Sequence, residues 1–370
     1  MTIAVLGAGM VGRAIALDLA KEHMVTSFDL SEKSLDILKK RNIAIRTVVA
    51  DLTNYTKYPE WLSPYDLVVT AVPGFMGYKT LEAVIKAGKD TADISFFPEN
   101  ALKLDQLAKE KNVTVITDCG VAPGMSNLIL GRHNAEIKID SFACYVGGLP
   151  KHPQPPFNYK APFSPIDVIE EYTRPARLVE NGKVITKPAL SDREILDFEK
   201  AGKLEAFNTD GLRSLLFTMT HIPEMKEKTL RYPGHADLIQ SLQKAGFFET
   251  SPIKINDSKI SPLDFTSGIL LKEWKLDEDE KEFTIMKVII KGENKTIEYN
   301  LYDEYDAASR TSSMARTTGY TCTAAVHLIT NGLFNERGVF PPELIGAQKN
   351  CFEFVLNYLD ERGVKWRSNL

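Results

Sequence analysis

The stretch Ile3-Ala4-Val5-Leu6-Gly7-Ala8-Gly9-Met10-Val11-Gly12, set within Met1–Leu30, decides how the chain is read. A short apolar run meets a glycine turn, and apolar residues then recur at helical spacing: Val11, Ala14, Ile15 and Leu19. A second run, Met24 to Phe28, ends at Asp29. Strand, glycine turn, helix, strand and acid in that order are the grammar of a dinucleotide-binding βαβ unit. Gly7 permits the tight turn, Gly9 lets backbone N–H groups approach a pyrophosphate, and Gly12 lets the helix pack closely on the sheet. Met10 and Val11 open that helix, whose N-terminus carries partial positive charge where the phosphates sit. A carboxylate at Asp29 accepts hydrogen bonds from ribose hydroxyls and repels a 2′-phosphate, so NAD is expected rather than NADP.

Beyond Asp29 the alternation continues. A helix is expected over Glu32–Lys40 and a strand over Ile43–Ala50, followed by Asp51 and Leu52 at the adenine end of a cofactor. Asp51 reads equally well as a helix cap. Tyr65 to Gly74 reads as the fourth strand with its loop, placing Ala71, Val72 and Pro73 beside the nicotinamide ribose. A helix (Thr80–Ala87), a strand (Thr91–Phe96), a helix (Leu102–Lys111) and a strand (Val113–Asp118) follow, with Asp93, Ser95, Asp118 and Val121 at the same sheet edge. This predicts an α/β Rossmann domain, a doubly wound parallel sheet, over residues 1–125.

From Cys119-Gly120-Val121-Ala122-Pro123-Gly124 onward the pattern changes. Strands are expected at Ile137–Leu149, Lys228–Tyr232, Phe283–Lys291 and Lys295–Tyr302, with helices at Pro165–Tyr172, His235–Gly246 and Pro262–Leu271. Asn181-Gly182 signals a type I′ hairpin turn. Residues 126–305 thus read as an α+β mixed-sheet domain for substrate binding and dimerisation. The acidic run Asp277-Glu278-Asp279-Glu280 reads as a solvated turn. Residues 306–370 read as helices, with Thr321, Ala324, Ala325, Leu328 and Ile329 on one face to pack back on the first domain, and Gly332 as the stop.

The bulk numbers exclude several classes. With 44% hydrophobic and 25% charged residues the 370-residue chain is of the globular type, and 45 basic against 49 acidic residues offer no footing for nucleic acid. The four cysteines form no CxxC pair and no zinc spacing, so no metal is expected and a cytoplasmic location is. No 18-residue apolar run suggests a membrane span.

Five blocks resemble the saccharopine dehydrogenase superfamily, and within it the lysine 6-dehydrogenase pattern. They are Gly7–Gly12, Asp118–Met125, Tyr145–Pro150, Thr229–His235, and Met314–Arg316 through Arg337–Pro342. The resemblance implies a homodimeric enzyme that uses NAD to deaminate an amino acid side chain oxidatively, taking L-lysine to 2-aminoadipate 6-semialdehyde and ammonia. The alternatives are reductive condensation, as in saccharopine reductases or carboxynorspermidine dehydrogenases, and a non-catalytic NAD-binding protein. Saccharopine reductases carry an acid where Ala122 stands, and their substrate arginine aligns near Asp210, which argues against a tricarboxylate substrate.

The resemblance makes Arg231 the holder of the substrate carboxylate, a task suited to its planar fork. Tyr159, Asn208 and Thr209 are candidate substrate contacts. Asp93, Asp118 and His235 are candidates for the base; His235 reads equally as a helix cap, and the two aspartates as turn caps. The chemistry demands a base, because an ε-ammonium resists hydride loss from its carbon. Neutralising it at pH 7 costs roughly 4.6 kcal/mol, so an alkaline optimum is expected.

Overall fold

The computed structural model describes residues 1–370, leaving aside the side chain of residue 165. Thr2–Leu6 lies inside a seven-stranded sheet, and its apolar residues are buried, as a strand covered on both faces requires. Met24–Asp29 lies on one side of it and Leu67–Thr70 on the other, both parallel. Outward from these run Arg46–Val49 at one end, then Asp90–Asp93 and Thr114–Ile116 at the other. The order reverses beside Thr2–Leu6, so the strand ends there open onto a crevice, the usual ligand position in such sheets.

The seventh strand comes from the far end of the chain. Gly338–Phe340 pairs in parallel with Thr114–Ile116. The tail expected to be helices alone therefore also contributes strands, three residues being too few to show a period. Its long helix, Ser313–Thr330, lies on the first helix, Met10–Leu19, so closely that a Cβ on Gly319 would lie 3.4 Å from Ala14 and Ile15. Buried Asp18 ties them: Thr323 and Tyr358 hydroxyls and Arg362 Nε donate to its Oδ2 at 2.8, 2.9 and 2.8 Å.

The second sheet has nine strands. Ser141–Pro150 runs through its middle, parallel to Glu224–Arg231 and antiparallel to Glu282–Gly292. Glu282–Gly292 turns into Lys295–Glu304 through Glu293 and Asn294, both at positive φ, the two-residue loop that matches strand twist. The hairpin Ala176–Glu180 to Lys183–Lys187 turns at Asn181 (φ 50°) and Gly182 (φ 71°), as the Asn-Gly pair dictates. Glu194–Phe198 and Gly202–Asn208, which the sequence reading passed over, extend one edge. Trp366–Ser368 closes the other, against Lys295–Glu304.

Strands of the first sheet are shorter than their apolar runs: Arg46–Val49 within Ile43–Ala50, and Leu67–Thr70 within Tyr65–Gly74. Pro73 accounts for the second case, since the helix Gly74–Lys86 begins directly after it. The acidic run is no bare solvated turn. Glu278 pairs with Arg13 (2.7 Å) and Arg41 (3.2 Å), strapping this turn onto the first domain, while Asp279 pairs with Arg310 (2.5 Å).

Candidate active site

A cleft of about 610 Å³ runs from the glycine turn to the second sheet. At its first-domain end, Gly7 stands at φ 110°, and a Cβ there would lie 2.2 Å from the Ala71 carbonyl oxygen. A Cβ on Gly12 would lie 2.1 Å from the Gly7 oxygen, so both glycines serve close packing. Gly9 differs: a Cβ there meets nothing within 4 Å and would project into the open space of the cleft. That opening lies at the N-terminus of Met10–Leu19, where N–H groups lack helical partners and favour an anion. Asp29 sits alongside, its carboxylate accepting from Ala8 N–H (2.6 Å) and Ser31 N–H (2.7 Å).

Met10, Val11, Leu52, Ala71, Val72, Pro73 and Val121 also line the cleft. Asp51 lines it too, and caps a turn by accepting from the Thr53 N–H (2.9 Å) and hydroxyl (2.7 Å). Those bonds hold its carboxyl below the usual range. Ser95 does not line the cleft: it is buried and its N–H is turned to Asp93 Oδ1 at 3.1 Å. An open pocket beside Gly9, an acid at the end of the second strand and an apolar wall fit a nicotinamide dinucleotide.

The second domain closes the cleft chiefly with the strand Glu224–Arg231 and the helix Pro165–Thr173, joined by Val146, Gly147 and Gly148 of Ser141–Pro150. Along Glu224–Arg231 alternate side chains share a face, so Glu227, Thr229 and Arg231 all reach it. Arg231 ends the strand and is only 2% exposed. Its Nε donates to the Tyr172 hydroxyl (2.9 Å), and its Nη2 to Glu171 Oε2 (3.0 Å) and the Tyr159 hydroxyl (3.3 Å). Asp167 and Glu171, four residues apart on Pro165–Thr173, face the cleft together. Asp167 reaches the first domain, accepting from the Gly74 N–H at 3.2 Å. Asp118, at φ 54°, pairs with Arg213 (2.8 Å). The Thr209 and Thr229 hydroxyls meet at 2.9 Å.

Burial in this carboxylate-rich end raises three acids. Glu227 is pushed up to about 8 by burial, with Glu171 and Asp210 adding to it. Asp167 is pushed up to about 6, and Glu171 upward, both chiefly by burial. Gly211 presses on Glu227, since a Cβ there would lie 1.9 Å from the carboxyl atoms.

Besides Ser95, four residues expected at the site stand off it. His235 is 1% exposed behind Tyr172, its Nε2 2.9 Å from the tyrosine hydroxyl and its Nδ1 2.9 Å from the Phe157 carbonyl. With Nδ1 donating to that carbonyl, Nε2 accepts from Tyr172, and burial beside Arg231 pushes the ring down to about 3. It stands as a neutral ring behind Tyr172, outside the cleft lining. Tyr159 lies behind Arg231, edge-on to Trp274 with ring centroids 5.5 Å apart, and meets the guanidinium with both its hydroxyl (3.3 Å) and its ring face (4.3 Å). Asn208 turns to Ser191 (3.1 Å) and Asp192 (3.0 Å). Asp93 is sealed beneath the cleft, bonded by Thr70 (2.5 Å) and pushed up to about 7 by burial.

Glu227, Asp167, Glu171 and Arg213 were absent from the expected site. Beginning the strand at Lys228 cut off Glu227, although it stands two and four residues before Thr229 and Arg231. Asp167 and Glu171 carry the helical i, i+4 signal inside the helix expected over Pro165–Tyr172 and observed over Pro165–Thr173.

Residues 120–364 match the family model for the saccharopine dehydrogenase C-terminal domain, and residues 3–116 that for the saccharopine dehydrogenase NADP binding domain. The saccharopine dehydrogenase [NADP(+), L-glutamate-forming] of Pyricularia oryzae is 22% identical, the match covering 92% of this chain and 93% of that protein. Mitochondrial alpha-aminoadipic semialdehyde synthase of Mus musculus is 22% identical over 70% of this chain but only 30% of its own length, so this chain matches under a third of it. The apo saccharopine dehydrogenase (L-Glu forming) of Saccharomyces cerevisiae superposes with a TM-score of 0.78 at 19% identity, over 100% of this chain and 99% of that one. That likeness is one of fold. With both halves of the chain matched in order, and a nicotinamide dinucleotide cleft between them, the protein belongs to the saccharopine dehydrogenase family.

Proposed function

We propose that the protein is an NAD-dependent dehydrogenase that oxidises the side-chain amine of an amino acid, L-lysine foremost, to 2-aminoadipate 6-semialdehyde and ammonia. The charge of the inner cleft carries this reading. Asp118, Asp167, Glu171 and Glu227 line it, and among the described residues Arg231 is the one cationic side chain that does. Arg213 offsets Asp118 from behind and Arg231 offsets Glu171, which leaves Asp167 and Glu227 without a cationic partner, Glu227 joining as an anion only as the pH rises to about 8. Such a site suits ammonium groups and a single carboxylate. A tricarboxylate would leave two charges without partners. Asp210, near the place of the family's substrate arginine, is itself committed to Arg177 at 2.8 Å, and Ala122 supplies no acid.

The chain's residues divide the work by charge. Arg231 holds the substrate carboxylate, and Glu227, on the same face about 13 Å away along the strand, receives the ammonium. Glu227 takes a proton from that ammonium, so that the amine is neutral when hydride leaves its carbon. A bound nicotinamide supplies the hydride acceptor. The Thr209–Thr229 hydroxyl pair offers contacts to the amine and to the water that hydrolyses the imine. Asp29 favours NAD, although the family model and the fungal relative carry NADP in their names.

Reduction of NAD and of NADP is to be followed separately with L-lysine, L-ornithine and saccharopine. Lysine with NAD is expected to give the highest kcat/KM. Turnover of saccharopine with NADP and none of lysine would reverse the reading.

A further inference from the structure

The guanidinium that this reading assigns to the substrate carboxylate already holds one. Arg231 makes four donor contacts: Tyr172, Tyr159, the Leu230 carbonyl at 3.0 Å, and Glu171 at 3.0 Å. Three of these partners are uncharged and fix the plane of the fork. Glu171 alone brings charge, and with it in place one Nη1 N–H remains, too few for a bidentate hold on a second carboxylate.

Glu171 occupies a place that disfavours an anion. It lies in the last turn of Pro165–Thr173, where a negative charge opposes the helix dipole, and burial disfavours its ionised form. Its side chain is 17% exposed and lines the cleft, whereas that of Arg231 is 2% exposed. The acid is the partner with room to move.

We propose that Glu171 is an internal competitor for the substrate carboxylate and thereby sets the choice between amino acids and carboxylate-free amines. With Glu171 on Arg231, the inner cleft presents no free cation, and Asp167 and Glu227 favour a molecule with ammonium groups at both ends. With Glu171 displaced, Arg231 takes an α-carboxylate. A substrate carboxylate must therefore outbid the resident one, which raises KM for amino acids. The proposal rests on the reading of the cleft as an amine-oxidising site.

The test compares wild type with Glu171→Gln, which keeps the hydrogen bond and removes the charge. KM for L-lysine should fall about ten-fold, by more than any change in kcat, while kcat/KM for 1,5-diaminopentane should fall. Opposite movements exclude a merely structural role, which would depress both. Calorimetric titration with L-norleucine, which has the carboxylate but no side-chain amine, reads Arg231 without turnover. Norleucine should bind about ten-fold more tightly to Glu171→Gln and not measurably to Arg231→Ala. Tighter norleucine binding with no oxidation of lysine would sink the dehydrogenase reading and leave the competition standing. Equal norleucine affinity in wild type and Glu171→Gln, or no binding by either, would overturn the competition, and the Glu171→Ala variant repeats the comparison if the glutamine form does not fold.

Discussion

Glu227 is the residue on which catalysis turns in this account, and its environment makes two measurable demands. Its side chain is held at about 8, so the acid limb of kcat/KM for lysine should fall near that pH. Glu227→Gln should remove the limb and lower kcat/KM by on the order of 100-fold, the usual worth of a general base. The same shift bears on stability. A carboxyl raised from 4.5 when unfolded to about 8 when folded binds its proton more tightly in the native state. Its contribution is therefore full below pH 4.5 and lost as pH rises to 8. Urea unfolding at pH 5 and pH 8.5 should show wild type losing more stability over that interval than Glu227→Gln. His235 has the opposite sign. Its ring falls from 6.5 to about 3 on folding, so its contribution is present above pH 6.5 and is lost as pH falls toward 3. His235→Asn should reduce the acid sensitivity of unfolding between pH 7 and pH 4 and leave the limb near pH 8 in place. A limb that moved with His235 would restore it as the base.

At the scale of elements, the glycine turn separates folding from binding. Gly7 and Gly12 have no space for a side chain, whereas Gly9, at φ −62°, has both an ordinary conformation and open space. Gly9→Val should keep the melting temperature within about 2 °C and abolish NAD binding by calorimetric titration. A stable variant that still binds NAD would place the pyrophosphate elsewhere. This turn was legible in the sequence because strand, glycines, helix and acid are local and each carries its own signal. So was the helix Pro165–Thr173. The substrate end was harder to read, because polarity does not tell which side of an element a residue faces. His235 belongs to a matching family block and Tyr159 is polar at its tip, yet both support Arg231 from behind, and Asp93 ends a strand at the crevice yet is sealed under it. Glu227 became visible only once Glu224–Arg231 was extended to its full length, which the pairing with Ser141–Pro150 sets from afar.

On the scale of the molecule, both ends of the chain and a distant turn hold the cleft's walls together. Gly338–Phe340 completes the first sheet and Trp366–Ser368 the second, so the last 33 residues join both. Asp18 gathers three partners from the closing helices, Glu278 reaches Arg13 and Arg41 from the second domain, and Asp167 rests on the Gly74 N–H. Pairing of this kind across long sequence separations left little local trace. Its consequence is that the cofactor wall and the substrate wall face each other in one cleft, and that juxtaposition is the account's central claim. A crystal structure with NAD and L-norleucine bound together tests it most directly. The account predicts the α-carboxylate within hydrogen-bond distance of Arg231, the side chain pointing toward Glu227, and the nicotinamide ring against the side chain's terminal carbon. Norleucine seated away from Arg231, or with its side chain out of reach of the nicotinamide, would contradict it.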